Sequence, residues 1–584
     1  MLKENKWKHA AAAFQILAIF YLLCTMLSSD SYYAAYLLIG MAGMFACGIN
    51  WREQASFSDK RERMLTWFFA LGFALAIAAA NYEMFMRITD SRRGRFLSAA
   101  GVFLGSFCVF WNILLYAAGK LRNFSFQRAN AGGKVPCAAV FLFSALPMAA
   151  LNLLVLFLCA YPGNLTNDSV DQVAQLVSGQ YSNHHPFYHT MLIGLFLKAG
   201  YALFGSVNAA VAVYSVLQIL FIAGCFAFAM VTLYQAGIPG SRIAFCVLFY
   251  TVMPFHIMYS FTMWKDIWFA GFVLLFTVSA YRVLADIGRH RLLDRGVCLA
   301  GGLGMCLFRS NGFVALLIAL AGFFILFRGK YRRLSIGFLL MIVVAFLGKH
   351  PLLAALHVSQ PDTIESLSIP AQQVARVVVA CNDLTEEQRE LLGGVLEVDR
   401  IPEAYVSFFF DPLKNLIRGE GNQAFLTEHK GKFLKLYVEL GISHPVQYIE
   451  AWIDETRGFW NGGYSNWKWF KGVLDNDLGI QESVNSEGAL ELLEQYLELY
   501  ETSNTLVIFL CIGVYVWIVA ILLYLGLIRR DRVSVFLTLP TLAVVLTLLV
   551  ATPVFSEFRY AYTVFCTIPF LLLAPFAERP EKDR

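Results

Sequence analysis

The sequence predicts an all-α membrane protein that crosses the bilayer many times. Of its 584 residues, 58% are hydrophobic and only 15% are charged, whereas about 25% of the residues of a soluble domain are charged. The mean hydropathy is +0.59. The formal net charge of +5 is small for this length, so the composition does not favour a nucleic-acid-binding protein.

Apolar runs long enough to cross about 30 Å of hydrocarbon as a helix recur along the chain. About fourteen are expected, and a polar stretch separates the last three from the others. They lie near 10–28, 32–49, 65–82, 98–118, 137–160, 207–234, 243–260, 266–286, 296–309, 312–328, 333–350, 504–528, 533–552 and 557–576.

Basic residues orient these runs, because Lys and Arg near the ends of spans are retained on the cytoplasmic side. With a cytoplasmic N-terminus and C-terminus, most basic clusters lie inside, and the loop 87–95 is the exception. This orientation requires that the apolar segment 187–203 does not cross, so it is predicted to be interfacial or re-entrant. The clusters that agree lie at 52–63, 120–134, 289–295, 328–333 and 529–532.

The pattern divides the chain into four parts. Accessory membrane helices occupy residues 1–135, and a membrane core occupies 136–350, with a first extracytoplasmic loop at 161–206. Residues 351–503 form a polar extracytoplasmic domain, predicted to be mostly helical and inserted before the last three spans. C-terminal membrane helices occupy 504–584. Most of the twelve cysteines lie inside apolar runs, and no Cys/His cluster has zinc spacing, so neither a disulfide framework nor a structural metal is expected.

The first candidate site is the acidic loop that follows the fifth span. Asp168 and Asp171 are three residues apart, so on a helix they share one face at the membrane surface. A carboxylate there could accept the proton of an acceptor hydroxyl. The alternative is an aspartate that caps a juxtamembrane helix after the turn at Pro162 and Gly163.

The second candidate is a group of histidines just before the segment 187–203. His184 and His185 precede Pro186, and His189 follows it. Imidazoles beside a bilayer could donate hydrogen bonds to a lipid phosphate or ligate a metal. The alternative is ordinary interfacial polarity with a proline that opens a helix, and a metal would need ligands from elsewhere.

The remaining candidates are polar residues at the predicted outer ends of spans. A charge at the centre of a membrane helix costs about 2.5 to 3.5 kcal/mol on insertion scales, so such residues tend to be paired or functional. The alternative is a cation that extends to the interface. Three cations on the same face as two aspartates suit a phosphate-bearing substrate. The residues are Lys265, Asp266, Arg309, Asn311, Glu557, Arg559 and Tyr560.

Over residues 137–576 the chain resembles the GT-C superfamily of integral-membrane glycosyltransferases, which includes protein O-mannosyltransferases and the lipid A aminoarabinose transferase. The resemblance lies in the order of an acidic outer loop, a His-Pro element, an outer Lys-Asp pair and a polar domain before the final spans. The segments that carry it are YPGNLTNDSVDQ, NHHPF, MWKD, LFRSNG, IPAQQVAR and EFRY. The chain departs from better-known members in having Asp-Ser where Asp-Glu is common, and in four additional N-terminal spans.

The resemblance implies a glycosyltransferase that uses a polyprenyl-phosphate sugar and inverts the anomeric carbon. Asp168 or Asp171 would be the catalytic base, and the acceptor would be a glycan, a lipid or a protein of the cell envelope. No cofactor is called for, although Asp168, Asp171 and Asp266 offer oxygen ligands to a divalent metal. The donor phosphate would be bound by His184, His185, Lys265, Arg309 and Arg559. The substrate would be positioned by Asp266, Asn311, Glu557 and Tyr560.

Two other classes of function are compatible with a chain of many spans. A secondary transporter or lipid flippase typically has internal repeats and helices broken at mid-membrane, and neither feature is evident in the sequence. A scaffold without catalytic activity would give Asp168 no special role. The position of the charged residues at span ends favours the transferase.

Overall fold

The computed structural model describes residues 2–27, 33–57, 59–126, 135–287, 291–552 and 554–578. These residues form helices and isolated β-bridges but no β-strand. The protein is therefore an all-helical, polytopic membrane protein, as predicted. Parts of the basic clusters 120–134 and 289–295 lie outside the described residues.

The N-terminal helices form a bundle in which α5 packs against α1, α2 and α3. Polar side chains pair inside this bundle: Asn112 donates hydrogen bonds to Gln15 at 2.8 Å and accepts one from Asn50 at 3.2 Å. The helices are α1 (Leu2–Met26), α2 (Tyr33–Arg52), α3 (Lys60–Ala80), α4 (Tyr82–Ile88) and α5 (Arg92–Leu121).

Among the next helices, α12 (Lys265–Leu284) is almost entirely buried and packs against α9 (Val207–Gln235), α13 (Arg291–Phe308) and α27 (Tyr562–Leu573). Gly301 permits the close contact between α12 and α13, because a Cβ atom there would lie 2.7 Å from the backbone nitrogen of Phe276. The helices are α6 (Cys137–Cys159), α7 (Asn167–Ser178), α8 (Phe187–Phe204), α9 (Val207–Gln235), α10 (Gly240–Val252), α11 (Pro254–Ser260), α12 (Lys265–Leu284), α13 (Arg291–Phe308), α14 (Gly312–Phe327) and α15 (Arg332–Leu347).

The polar segment is mostly helical, as predicted. A capping box at Thr385 and Gln388 begins α18, and Leu490, Leu493 and Leu497 form the buried face of α24; both local predictions are confirmed. The helices are α16 (Leu353–Ala355), α17 (Ser368–Ala380), α18 (Glu386–Gly393), α19 (Ile401–Ala404), α20 (Asp411–Glu420), α21 (Gln423–Glu428), α22 (Lys430–Ser443), α23 (Pro445–Trp460) and α24 (Glu487–Thr502). Three further helices complete the chain: α25 (Ile512–Ile528), α26 (Arg532–Ala551) and α27 (Tyr562–Leu573).

Among the described residues, 11 helices are long and apolar enough to cross a membrane, or 12 if the bent pair α10 and α11 counts as one span. The difference from about fourteen lies mainly in α14 and α25, which are apolar but have fewer than 18 residues, and in the charged start of α13. Helix α8, predicted to be interfacial, meets the criterion of length and apolarity.

Helices α10 and α11 form a bent pair, which is either a broken span or a re-entrant loop. Helices α10 and α11 meet at an angle of 59°, because Pro254 lacks the N–H donor that would continue the backbone hydrogen bonds of α10. The carbonyl of Val252, left free at the break, accepts a hydrogen bond from the hydroxyl of Tyr496.

Candidate functional site

Asp168 lies in the first turn of α7, but it does not cap that helix. The N-cap residue is Thr166, whose backbone N–H donates to the Ser169 hydroxyl at 3.2 Å. The Ser169 hydroxyl in turn donates to the carbonyl of Met263 at 2.8 Å, and this bond fixes the start of α7 against the start of α12. The carboxylate of Asp168 is therefore free to serve another role.

Two cations converge on a single oxygen of Asp168. The ammonium of Lys265 donates to Oδ2 at 3.2 Å, and the guanidinium of Arg559 donates to the same atom at 3.1 Å. The side chain of Asp168 is 23% exposed, that of Lys265 16% and that of Arg559 19%. The second carboxylate oxygen, Oδ1, receives no hydrogen bond within the described part of the chain.

His185 lies beside this pair and connects it to the second predicted aspartate. Its Nδ1 atom is 3.0 Å from the ammonium of Lys265. Because an ammonium can only donate, Nδ1 must accept, and the ring proton of His185 then lies on Nε2. Nε2 is 3.8 Å from the carboxylate of Asp171, whose side chain is 67% exposed. Asp171 therefore lies at the open edge of the cluster.

The charges around Asp168 determine its protonation. Burial by itself would raise the pKa of Asp168, but the positive charges of Lys265 and Arg559 hold that pKa far below its usual range. Asp168 is thus a carboxylate at neutral pH.

A second ion pair lies next to the first. Arg309 donates to Oδ1 of Asp266, which is only 1% exposed, while Oδ2 of Asp266 has no hydrogen-bond partner among the described residues. The ring of Tyr560 contacts both guanidinium groups, with that of Arg309 4.6 Å and that of Arg559 5.2 Å from its centroid. Such cation–π contacts hold both guanidinium groups in place.

The other predicted residues occupy the periphery. The carboxylate of Glu557 is 3.6 Å from Nε of Arg559. Asn311 instead donates to the hydroxyl of Thr547 at 2.8 Å, so it is directed towards α26. His184 is exposed, with its ring 4.7 Å from that of His185.

Beneath the cluster lies a buried hydrogen-bond network that the sequence did not predict. The ring of His189, fully buried, lies 3.0 Å from the side-chain oxygen of Gln172 and 2.8 Å from the hydroxyl of Tyr214. Tyr214 donates to Gln218 at 2.9 Å and accepts from Trp268 at 2.9 Å. The network joins α7, α8, α9 and α12, the helices that carry or adjoin Asp168, His185 and Lys265. Its one sequence signal is that Tyr214 and Gln218 are four residues apart on an apolar helix.

The aspartates do not form a common metal site. Within the described ranges, no group of three or more His, Cys, Asp or Glu residues has an arrangement that could hold a metal ion. Asp266 is engaged by Arg309, and Asp168 by Lys265 and Arg559.

Comparison with known proteins yields one match. A family described as a family of unknown function (DUF6020) matches residues 177–584. The match includes His185, Lys265, Arg309 and Arg559, and it begins after Asp168 and Asp171. No curated protein and no solved structure matches the chain.

Proposed function

The chain belongs to the DUF6020 family, whose function is unknown, and we propose from its site that it is a membrane glycosyltransferase. It transfers a sugar from a polyprenyl-phosphate donor to an envelope acceptor, which is a glycan, a lipid or a protein. The observation that carries the proposal is the convergence of Lys265 and Arg559 on one oxygen of Asp168. This arrangement joins a carboxylate that can take up a proton to two cations that can bind a phosphate.

The reaction uses these groups in one displacement. The acceptor hydroxyl oxygen forms a bond to the anomeric carbon, the bond from that carbon to the phosphate oxygen breaks, and the hydroxyl proton passes to Asp168. The polyprenyl phosphate leaves with the bonding electrons, and Lys265 and Arg559 stabilise its negative charge through charge-assisted hydrogen bonds. Attack opposite the leaving group inverts the anomeric carbon.

Lys265 and Arg559 make Asp168 a weak base in the free enzyme, and their binding to the donor phosphate explains how Asp168 can still accept a proton. A carboxylate whose pKa is held far below its usual range binds a proton weakly, so the free enzyme has a poor base in Asp168. A donor phosphate that binds Lys265 and Arg559 shares their positive charge. The pKa of Asp168 then rises when the donor is bound, and the base becomes effective only in the loaded site.

We propose that this site lies on the extracytoplasmic side, in a chain that crosses the membrane fourteen times with both termini in the cytoplasm. In this topology α8 is interfacial or re-entrant and does not cross. Two contacts support that assignment, because both ends of α8 adjoin the polar segment 351–503. Before α8, Ser182 forms a bridge with Ser359; after it, Asn208 donates to the carbonyl of Gln481 at 2.8 Å.

The break between α10 and α11 supports a second candidate, a secondary transporter or lipid flippase, since transporters bind substrates at broken helices. However, the break is filled by protein: Tyr496 bonds to the carbonyl of Val252, and His256 lies 2.8 Å from the hydroxyl of Tyr562. The cluster at Asp168 lies at the ends of helices. The transferase therefore accounts for more of the polar residues.

The test is sugar transfer in vesicles that contain the purified protein, labelled polyprenyl-phosphate sugars and envelope extracts as acceptors. We expect transfer by the wild type, a loss of about 10²- to 10⁴-fold in Asp168→Asn, as for removal of a general base, and a small change in Asp171→Asn. Both variants must show wild-type amounts of folded protein. Wild-type vesicles that transfer no sugar but move a lipid or solute would establish the transporter instead.

A further inference from the structure

The polar segment contains an apolar cavity that opens at its surface. A cavity of about 490 Å³ lies between α17, α20 and α22, and its lining is almost entirely hydrocarbon. Leu367, Ala371, Leu413, Phe433 and Leu436 are among the lining residues. Protein cores contain few voids larger than a water molecule, and an apolar cavity stays dry and accepts apolar ligands. Its volume falls within the range of ligand sites.

The cavity adjoins an apolar stripe on the surface of α22. Leu434 lines the cavity and is nevertheless 65% exposed. Val438 and Ile442 follow at four-residue intervals and are 49% and 76% exposed, so all three lie on one face of the helix. The stripe continues into α23 through Val446, which is also exposed. An apolar ligand can therefore reach the cavity along an apolar surface.

Helix α23, into which the stripe continues, contacts the membrane helix α26. Trp452, two turns beyond the start of α23, donates to the carbonyl of Leu549 at 2.8 Å, near the end of α26. Ile449 precedes Trp452 by three residues on the same helix and is exposed, as is Val550 beside Leu549 on α26. The exposed apolar residues of α23 are thus close to the end of a candidate span.

Lysines accompany the stripe on α22. Lys430, at the edge of the cavity, and Lys432 and Lys435 are all exposed. An amphipathic helix with an exposed apolar face and lysines beside it lies in the interface of a bilayer and is attracted to anionic lipids.

We propose that the cavity binds one hydrocarbon chain of an anionic membrane lipid, which enters along the stripe Leu434, Val438 and Ile442 while Lys430 holds the head group. The helices α22 and α23 rest on the leaflet from which the lipid comes. This assignment does not depend on the transfer reaction proposed above, because it concerns binding in a separate part of the molecule.

The test uses the full-length protein in nanodiscs of phosphatidylcholine that contain a phosphatidylglycerol with a diazirine in one acyl chain. After irradiation, mass spectrometry locates the labelled residues. We expect labels on cavity residues of α17 and α22. Ala371→Trp, which fills the cavity, should lower this labelling at least fivefold, while Ala424→Trp, the same change at an exposed position of the same segment, should leave it unchanged.

Two outcomes would overturn the proposal. One is labelling confined to the membrane helices of the wild type, a result that does not depend on whether Ala371→Trp folds. The other is equal labelling of the cavity in the two tryptophan variants. A diazirine phosphatidylcholine tests the head group: it should label the cavity at least threefold less than the anionic lipid, and equal labelling would refute the role of Lys430.

Discussion

Replacing Asp168 by Asn should destabilise the folded protein although the side chain keeps its shape, because Lys265 and Arg559 lose the anion that they share. A hydrogen bond to a charged group contributes about 1.5 to 3 kcal/mol, and Asp168 accepts two, at 3.2 and 3.1 Å. Asn can still accept them, but without the charge. We therefore expect the free energy of unfolding to fall by about 2 to 4 kcal/mol at neutral pH.

The effect should depend on pH with a defined sign. Lys265 and Arg559 hold the pKa of Asp168 far below its usual range in the folded protein, while in the unfolded chain it is about 4. The stabilisation is therefore fully present above pH of about 4 and is lost as the pH falls from there towards the folded pKa. The stabilities of the wild type and Asp168→Asn should converge in acid.

A double-mutant cycle with Lys265→Met isolates the ion pair. Equilibrium unfolding in mixed detergent micelles gives the free energy of each variant, and we expect a coupling of about 1 to 3 kcal/mol between the two positions. Asp171→Asn is the control: its exposed carboxylate lies 3.8 Å from His185, so its cost should stay below about 0.5 kcal/mol. The reasoning is refuted if the coupling is below about 0.5 kcal/mol, or if Asp171→Asn costs as much as Asp168→Asn.

Three further predictions concern residues around the site and in the polar segment. His185→Ala should reduce the rate of sugar transfer about tenfold, because Lys265 loses its hydrogen-bond acceptor. His184 is exposed, so His184→Ala should retain at least half of the wild-type rate. Equal transfer rates of the two variants in vesicles would contradict the role given to His185. His189→Phe should lower kcat more than it raises KM, because His189 lies in the network that positions the site residues and does not contact the substrate. A change in KM alone would contradict this positioning role. Burial raises the pKa of Glu455 from 4.5 to about 9, so between these pH values the free energy of unfolding should fall with rising pH, by up to about 1.4 kcal/mol per pH unit. Equilibrium unfolding measured across this pH range should show that Glu455→Gln lacks this slope. Identical slopes for the wild type and the variant would refute the prediction.

Local features of the fold were predictable because they depend on neighbouring residues. Apolar runs identify the membrane helices, and the capping box at Thr385 and Gln388 needs only two side chains three residues apart. The number of membrane spans was harder to predict from the sequence. Helices α14 and α25 are too short to meet the length criterion, although the apolar runs that contain them are longer. The end of a helix is set by its tertiary contacts as well as by its composition.

The site was predictable as a set of residue types but not as a set of pairs. Charges at the ends of apolar runs mark Lys265, Arg309 and Arg559 as residues that are paired or functional. Which carboxylate each binds depends on packing, since Arg559 meets Asp168 across 391 positions of sequence. The network at His189 was missed for a related reason: a single polar residue in an apolar helix resembles an ordinary core residue until its partners on other helices are known.

For the proposed reaction, Asp168 suits the role of the base better than Asp171, the other candidate, or Asp266, because only Asp168 combines access with anchoring. Asp266 is anchored by Arg309 but is only 1% exposed, so an acceptor hydroxyl cannot approach it without a rearrangement of the pair. Asp171 is accessible but its nearest cation-forming group is His185 at 3.8 Å. Asp168 is held through Oδ2 while its Oδ1 is open among the described residues. A base must be held in position and still be reached by the proton that it accepts. Lys265 and Arg559 would bind Asp168 in the free enzyme and the donor phosphate in the loaded site. Proton transfer to Asp168 would then depend on the presence of the donor.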